Sequence, residues 1–341
     1  MTPPSIPATM PAWRRETYGS ADGFRLEEIP VPDAGRGEVV LRVHATALNA
    51  GDVRVMLGDP LLVRPVFGLT RPKHPVRGME VAGTVVAVGP DVVGVEIGEV
   101  VAGELVGGGG LAAYTTVPAA RLVPIPPGVS VEAAACLPIA GGTAWQALDA
   151  AGIGLRPDAA GGASPRVLVI GASGGVGTFA VQLAALRGAE VWAACGERNS
   201  ALVEHLGAVR VIDHRRSPLS SLPAAHFDAV IDIAGGLELR ALQRLVVDGG
   251  RIVLVTGNGG HVLGPVPRMI AAALLSATSS RRISPLAATP RPEVLAKLLE
   301  LTAQGRLTPV IEREYGFDRA SSALAHVEAG HTVGKVIVRA A

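Results

Sequence analysis

Only two of the 341 residues are cysteine, Cys136 and Cys195. They cannot build a disulfide framework, and a four-cysteine zinc site is arithmetically excluded. Aromatic residues are scarce at 3%, which leaves little material for a base-stacking platform. Neither sign of charge is in surplus, with 31 Lys and Arg against 30 Asp and Glu and no dense basic run. The electrostatic footprint of a nucleic-acid or anionic-membrane binder is therefore missing. Residues 1–13 are broken by proline and lack the apolar centre of a signal peptide. The expectation is a cytoplasmic protein with neither nucleic acid nor membrane among its partners. One uncharged stretch, 167–186, is long enough to span a bilayer. Its glycine-rich middle argues instead for a strand, a turn and a helix.

What is present is apolar. Hydrophobic residues make up 48% of the chain and charged ones 18%, enough for a sizeable core, and the length suggests about two domains of roughly 150 residues. Residues 1–12 read as a loose tail. From Phe24 to about Pro126 short β runs alternate with Gly and Pro, as in Glu38-Val-Val-Leu-Arg-Val-His44 and Glu80-Val-Ala-Gly-Thr-Val-Val-Ala-Val88, which suggests an antiparallel barrel or sandwich. Residues 133–148 read as helix interrupted at Pro138 and Gly141-Gly142, and 159–165 as a small-residue linker. From Arg166 strands and helices alternate, the signature of a parallel α/β sheet. Strands are expected over 167–170, 191–194, 209–212, 229–233 and 252–255, with helices from about 201 and 237 between them. A helix over 292–304 and a strand over 309–313 follow, then a helix with Asp318 as N-cap and a closing strand over 336–338.

Gly171-x-x-Gly174-Gly175-x-Gly177 follows a strand and opens a helix on which Val176, Phe179, Ala180, Leu183 and Ala184 share one face. A pyrophosphate needs backbone N–H groups unobstructed by Cβ atoms and the positive end of a helix dipole, and this turn offers both. The tip of the next strand is Cys195-Gly196, followed by Glu197, Arg198 and Asn199. No carboxylate stands there to take the ribose hydroxyls of NAD, and Arg198 can offer forked donors to a 2′-phosphate. NADPH is thus the expected cofactor.

These motifs resemble those of the medium-chain dehydrogenase/reductase superfamily, in its zinc-free quinone-oxidoreductase-like and reticulon-interacting-protein-like branch. The resemblance is carried by Gly171-Ala-Ser-Gly-Gly-Val-Gly-Thr-Phe-Ala-Val-Gln-Leu-Ala184, Ala47-Leu-Asn-Ala-Gly-Asp52, Phe67-Gly-Leu-Thr-Arg-Pro-Lys73, Ala140-Gly-Gly-Thr-Ala-Trp-Gln-Ala-Leu148 and Gly334-Lys335. It implies an α/β protein with a GroES-like β domain over 1–135 and 306–341, a doubly wound Rossmann domain over 136–305, and an active-site cleft between them. It further implies Ser173, Gly174, Gly175 and Val176 on the pyrophosphate, and Gly196 and Arg198 near the 2′-phosphate. His214, at a position usually Tyr in this branch, falls on the same adenosine side. Asn49, Thr143, Val255, Thr256 and Lys335 would lie along the nicotinamide and its ribose, with Asn49 as the candidate catalytic residue.

Departures from the pattern matter equally. Zinc-dependent relatives carry ligands where this chain has Arg54, Met79 and Ile139, so no metal is expected. The branch's frequent Tyr after the Gly58 position is replaced by Asp59-Pro-Leu-Leu62, which leaves the proton to come from water. Apart from His214 the histidines are scattered without ligand-type spacing, and Asp52 and Glu80 suit structural hydrogen bonds in the β domain. The loops 59–74 and 257–290 are expected to build an apolar pocket. The expected activity is NADPH-dependent hydride transfer to a quinone or a carbonyl-conjugated C=C bond in a small apolar-to-amphipathic substrate, by a homodimer. Zinc-free carbonyl/alcohol interconversion and a non-catalytic NADPH-binding sensor or scaffold are the alternatives.

Overall fold

The computed structural model describes residues 6–154, 163–255 and 259–340. In chain order its strands are β1 (Thr9–Arg14), β2 (Arg25–Pro30), β3 (Glu38–Leu48), β4 (Glu80–Val88), β5 (Val100–Glu104), β6 (Tyr114–Pro118), β7 (Leu122–Pro124), β8 (Arg166–Ile170), β9 (Glu190–Cys195), β10 (Arg210–Asp213), β11 (Phe227–Asp232), β12 (Val246–Leu254), β13 (Arg282–Pro285), β14 (Ile311–Tyr315) and β15 (Lys335–Arg339). The helices are α1 (Ala50–Leu57), α2 (Arg64–Phe67), α3 (Val131–Ala135), α4 (Gly142–Ala150), α5 (Gly175–Leu186), α6 (Ser200–His205), α7 (Leu239–Leu245), α8 (Val266–Ala277), α9 (Pro292–Ala303) and α10 (Ala320–Glu328). A π-helical turn, Leu137–Gly141, joins α3 to α4, so the stretch expected to break at Pro138 and Gly141 stays helical in a widened form.

The chain forms two compact units, Met1–Gly142 with Pro290–Ala341, and Thr143–Thr289. The divisions fall at 142/143 and 289/290, whereas 135/136 and 305/306 were expected. Gly141 and Leu298 explain the difference: a Cβ at Gly141 would lie 3.0 Å from the Leu298 side chain of α9, so the π-helical turn and α9 pack together within the first unit.

The first unit is a seven-stranded sheet in the order β14-β15-β3-β4-β5-β7, with β6 on β3, plus the hairpin β1-β2. Val39, Leu41, Val43, Val81, Val85, Val101 and Val117 fill one core of this unit. A second core gathers Met10, Trp13, Phe24, Leu111, Phe317 and Leu324. The expectation of a loose tail fails from Thr9 onward, because β1 pairs with β2 and Trp13 donates its indole N–H to the Phe317 carbonyl at 2.7 Å. Asp318 is not an N-cap; it lies in the 3-10 turn Phe317–Arg319, and α10 begins behind Arg319.

In the second unit six parallel strands run in the order β10-β9-β8-β11-β12-β13, with β8 at the point where the order reverses. β8 can sit there because Val167, Leu168, Val169 and Ile170 are apolar and buried on both faces of the sheet. Such reversal points are where open α/β sheets receive ligands, outside the carboxyl ends of the strands. The stretch 257–290, expected as loop, contains α8 and β13, and 59–74 contains α2. The linker residues 159–162 lie outside the described part.

Candidate cofactor and polar sites

The turn from β8 into α5 is shaped by its glycines. Gly171 has φ +85°, a conformation that L side chains rarely adopt. Its N–H and that of Ala172 both donate to the Ala194 carbonyl at 3.1 Å, tying the turn to β9. A Cβ at Gly177 would run into the Gly171 carbonyl oxygen and lie 2.7 Å from the Ala172 carbonyl carbon, so this glycine lets α5 pack against the turn. Gly174, the N-cap of α5, is different: a Cβ there would meet only the Gly171 carbonyl, at 3.6 Å. The space beside Gly174 is therefore open, and the free N–H groups of the first turn of α5 point out at its end.

Ser173, Gly174, Gly175 and Val176 all lie on this partly exposed turn. The tip of β9 stands beside it, and Asn199 donates from Nδ2 to Ser173 Oγ at 3.0 Å, joining the two segments. A Cβ at Gly196 would meet nothing within 4 Å, and Arg198 and His214 are exposed. The His214 N–H reaches the Cys195 carbonyl at 3.4 Å, so the ends of β9 and β10 are neighbours. Ser173–Val176, Gly196, Arg198 and His214 thus gather at one end of the sheet. Val255, just past β12, and Thr143, in α4, belong to the same unit and are partly buried. Thr256 lies outside the described residues. Asn199 was missed as a site residue because its partner Ser173 lies 26 positions away.

In the first unit Asn49 and Lys335 meet over Glu80. Lys335 Nζ donates to Glu80 Oε1 at 2.6 Å, Asn49 Oδ1 at 2.6 Å and the Leu48 carbonyl at 3.2 Å, using all three hydrogens. Glu80 Oε1 also accepts from Asn49 Nδ2 at 2.6 Å, and Oε2 accepts the Ile139 N–H at 2.7 Å. The charges settle which way the Asn49 amide faces, since an ammonium only donates and a carboxylate only accepts. Glu80 and Lys335 are 0% and 2% exposed, so removing either partner alone would strand a buried charge, at a cost of about 3–5 kcal/mol.

Asp52 joins a different set of bonds. It accepts the Asn49 N–H and the Gly78 N–H, each at 2.9 Å, and so ties α1 to the chain before β4. Burial pushes its carboxyl up, opposed by these N–H groups and by the Arg77 guanidinium. Asp52 and Glu80 are therefore structural acceptors, as expected. Met79 and Ile139 flank this region, and a Cβ on Gly51 would lie 3.7 Å from the Met79 sulfur. No group of three or more His, Cys, Asp or Glu side chains among the described residues could hold a metal ion. Trp145 is buried under the Arg187 guanidinium, 4.4 Å from the ring centroid. A separate cavity of about 380 Å³ in the first unit, lined by Met10, Ile29, His74, Tyr114 and others, holds none of the expected site residues.

Comparison with known proteins agrees with this architecture. The family model of the alcohol dehydrogenase GroES-like domain matches residues 35–127, and that of zinc-binding dehydrogenases matches residues 206–338. The chain is 37% identical over 327 residues to the chloroplastic quinone-oxidoreductase QR1 of Triphysaria versicolor, covering 94% of this chain and 95% of that protein. It is 31% identical over 348 residues to the chloroplastic NADPH-dependent alkenal/one oxidoreductase of Arabidopsis thaliana, covering 98% and 80%. The solved structure of the quinone oxidoreductase from Coxiella burnetii superposes with a TM-score of 0.85 at 26% identity, covering 97% of this chain and 99% of that one. The chain belongs to the medium-chain dehydrogenase/reductase superfamily, in its quinone-oxidoreductase-like and reticulon-interacting-protein-like branch.

Proposed function

We propose that the protein is an NADPH-dependent reductase that works without zinc and transfers hydride to a quinone or to a C=C bond conjugated to a carbonyl. The observation that carries this reading is the open glycine turn at Gly174 beside β9, which ends on Cys195-Gly196 without a carboxylate in the strand end itself and is followed by Arg198. Those residues fit a dinucleotide with a 2′-phosphate: the turn and the start of α5 would hold the pyrophosphate, and Arg198 would hold the 2′-phosphate. NADPH supplies the hydride when bound. Arg54, Met79 and Ile139 at the ligand positions of zinc-dependent relatives support an acceptor that needs no Lewis acid. A conjugated acceptor already has a low-lying orbital that spreads the incoming charge, whereas a simple ketone has no such delocalisation and depends more on activation of its oxygen. Relatives named for quinone and alkenal/one reduction support the same substrate class.

Asn49 is our candidate for the substrate oxygen. One of its amide hydrogens is spent on Glu80, and the other makes only a long contact, 3.4 Å, to the Ala47 carbonyl. That second hydrogen is the one to offer to developing negative charge, on an amide held still by Lys335 and Glu80. Water supplies the proton.

The test is steady-state NADPH oxidation by tag-free protein across quinones, enones, 2-alkenals, enoyl-CoA esters and simple ketones, with product analysis. The expected result is turnover of a quinone or conjugated substrate well above any simple ketone, and preference for NADPH over NADH. Faster oxidation of simple alcohols than reduction of every conjugated acceptor would overturn it. Arg198→Ala should lower the NADPH-over-NADH affinity ratio about tenfold.

A further inference from the structure

In the parallel pair β9-β10, Asp213 lies in register with Cys195, so the segments that follow the two strands emerge side by side. Gly196, Glu197, Arg198 and Asn199 follow one; His214, Arg215 and Arg216 follow the other. Three guanidiniums and two carboxylates, Glu197 and Asp213, therefore share this corner. Glu197 stands next to Arg198 in the chain, and its free carboxylate would repel any phosphate held there. It is not free. Glu197 Oε2 lies 2.7 Å from Arg216 Nη2. Asp213 is also engaged, accepting the Arg215 N–H at 3.1 Å through Oδ1, with Oδ2 3.7 Å from Arg216 Nε.

An ion pair with side chains 71% and 60% exposed adds little to folding stability. Its consequence is local. Arg216 offsets the charge of Glu197, the carboxylate that directly follows the β9 tip and precedes Arg198.

We propose that Arg216 determines cofactor specificity as a positioning residue: by pairing with Glu197 it removes the charge that would oppose a 2′-phosphate beside Arg198. This rests on the NADPH reading above. Arg216 acts through Glu197, so its effect exists only while residue 197 is charged. The binding of 2′,5′-ADP compared with 5′-AMP isolates the 2′-phosphate from the rest of the cofactor and from turnover.

The experiment is titration calorimetry of both nucleotides at one ionic strength with the wild type, Arg216→Ala, Arg216→Lys, Glu197→Gln and the Arg216→Ala/Glu197→Gln pair. Arg216→Ala should weaken 2′,5′-ADP about three- to fivefold and leave 5′-AMP unchanged. Arg216→Lys should restore most of the loss. In the Glu197→Gln background Arg216→Ala should have no effect, because nothing remains to be masked. An equal loss in both backgrounds would mean that Arg216 touches the phosphate directly and would overturn the inference, as would an Arg216→Ala protein with the wild-type ratio. A wild type that binds 5′-AMP but gains nothing from the 2′-phosphate would overturn the NADPH reading itself.

Discussion

Glu104 shows how one buried acid couples folding to pH. It ends β5 directly opposite Glu80 at the start of β4. Burial, reinforced by the Glu80 carboxylate and only partly opposed by Arg121, pushes its carboxyl up to about 7. The folded protein therefore holds a proton here that the unfolded chain, with an ordinary carboxyl, releases at lower pH. Between the ordinary value and about 7 the native state binds more protons, so this group lowers stability as pH rises through that window, and the loss is complete above it. Glu104→Gln is expected to raise the urea midpoint at pH 8, by an amount corresponding to roughly 1–3 kcal/mol, and to leave it nearly unchanged at pH 4.5. An equal gain at both pH values would mean that the side chain acts through shape and not charge. Cys136 illustrates the same physics in an inert form, since burial pushes its thiol up to about 12 and leaves no reactive thiolate at neutral pH. At this scale the sequence was least informative. Lys335 and Glu80 are 255 positions apart, and no local pattern marks them as partners.

At the scale of single elements, the turn between β8 and α5 separates two uses of glycine that look identical as letters. Gly177→Ala pushes a methyl group into the Gly171 carbonyl and the Ala172 backbone, which cannot yield without moving α5. Gly174→Ala meets only one ordinary contact, at a backbone conformation of φ −79° and ψ 178° open to any residue. The expected outcomes differ accordingly. Gly177→Ala should lower the thermal midpoint and abolish nucleotide binding together, with a stability cost of about 1–3 kcal/mol. Gly174→Ala should keep the midpoint within the error of a surface change while weakening NADPH at least tenfold, because its methyl occupies the phosphate's approach. If Gly174→Ala binds NADPH normally, the pyrophosphate does not lie over this turn. The elements around that turn were legible because β8, β9 and β11 are short, largely apolar runs buried on both faces, punctuated by glycine. β13 was not, since Arg282-Ile-Ser-Pro285 carries no such run and pairs only along β12. β1 was hidden for a related reason: Pro11 and the prolines before it read as tail, and the strand is made by its pairing with β2, with Leu111 and Phe317 as distant partners of Trp13.

For the whole molecule the informative fact is where the expected phosphate-binding residues fall. Ser173, Gly174, Gly175, Val176, Gly196, Arg198 and His214 all belong to the unit Thr143–Thr289, which has its own sheet and its own core around Leu168, Phe227, Leu242 and Ile252. A nucleotide that binds the native form of this unit and not its unfolded form stabilises it by mass action, about 2.7 kcal/mol at a hundred times the dissociation constant. Amide hydrogen exchange reads that energy position by position. With 2′,5′-ADP at that concentration, amides of β8, β9 and α5 whose exchange requires opening of the unit should slow by up to about a hundredfold. The N–H groups of Gly171 and Ala172, which bond the Ala194 carbonyl, are the internal reporters within the glycine turn. The same amides should slow less with 5′-AMP at an equal concentration, in proportion to its weaker affinity. Slowing confined to β12 and β13, with β8 and α5 unaffected, would place the nucleotide at the other half of the sheet and remove the glycine turn from the site.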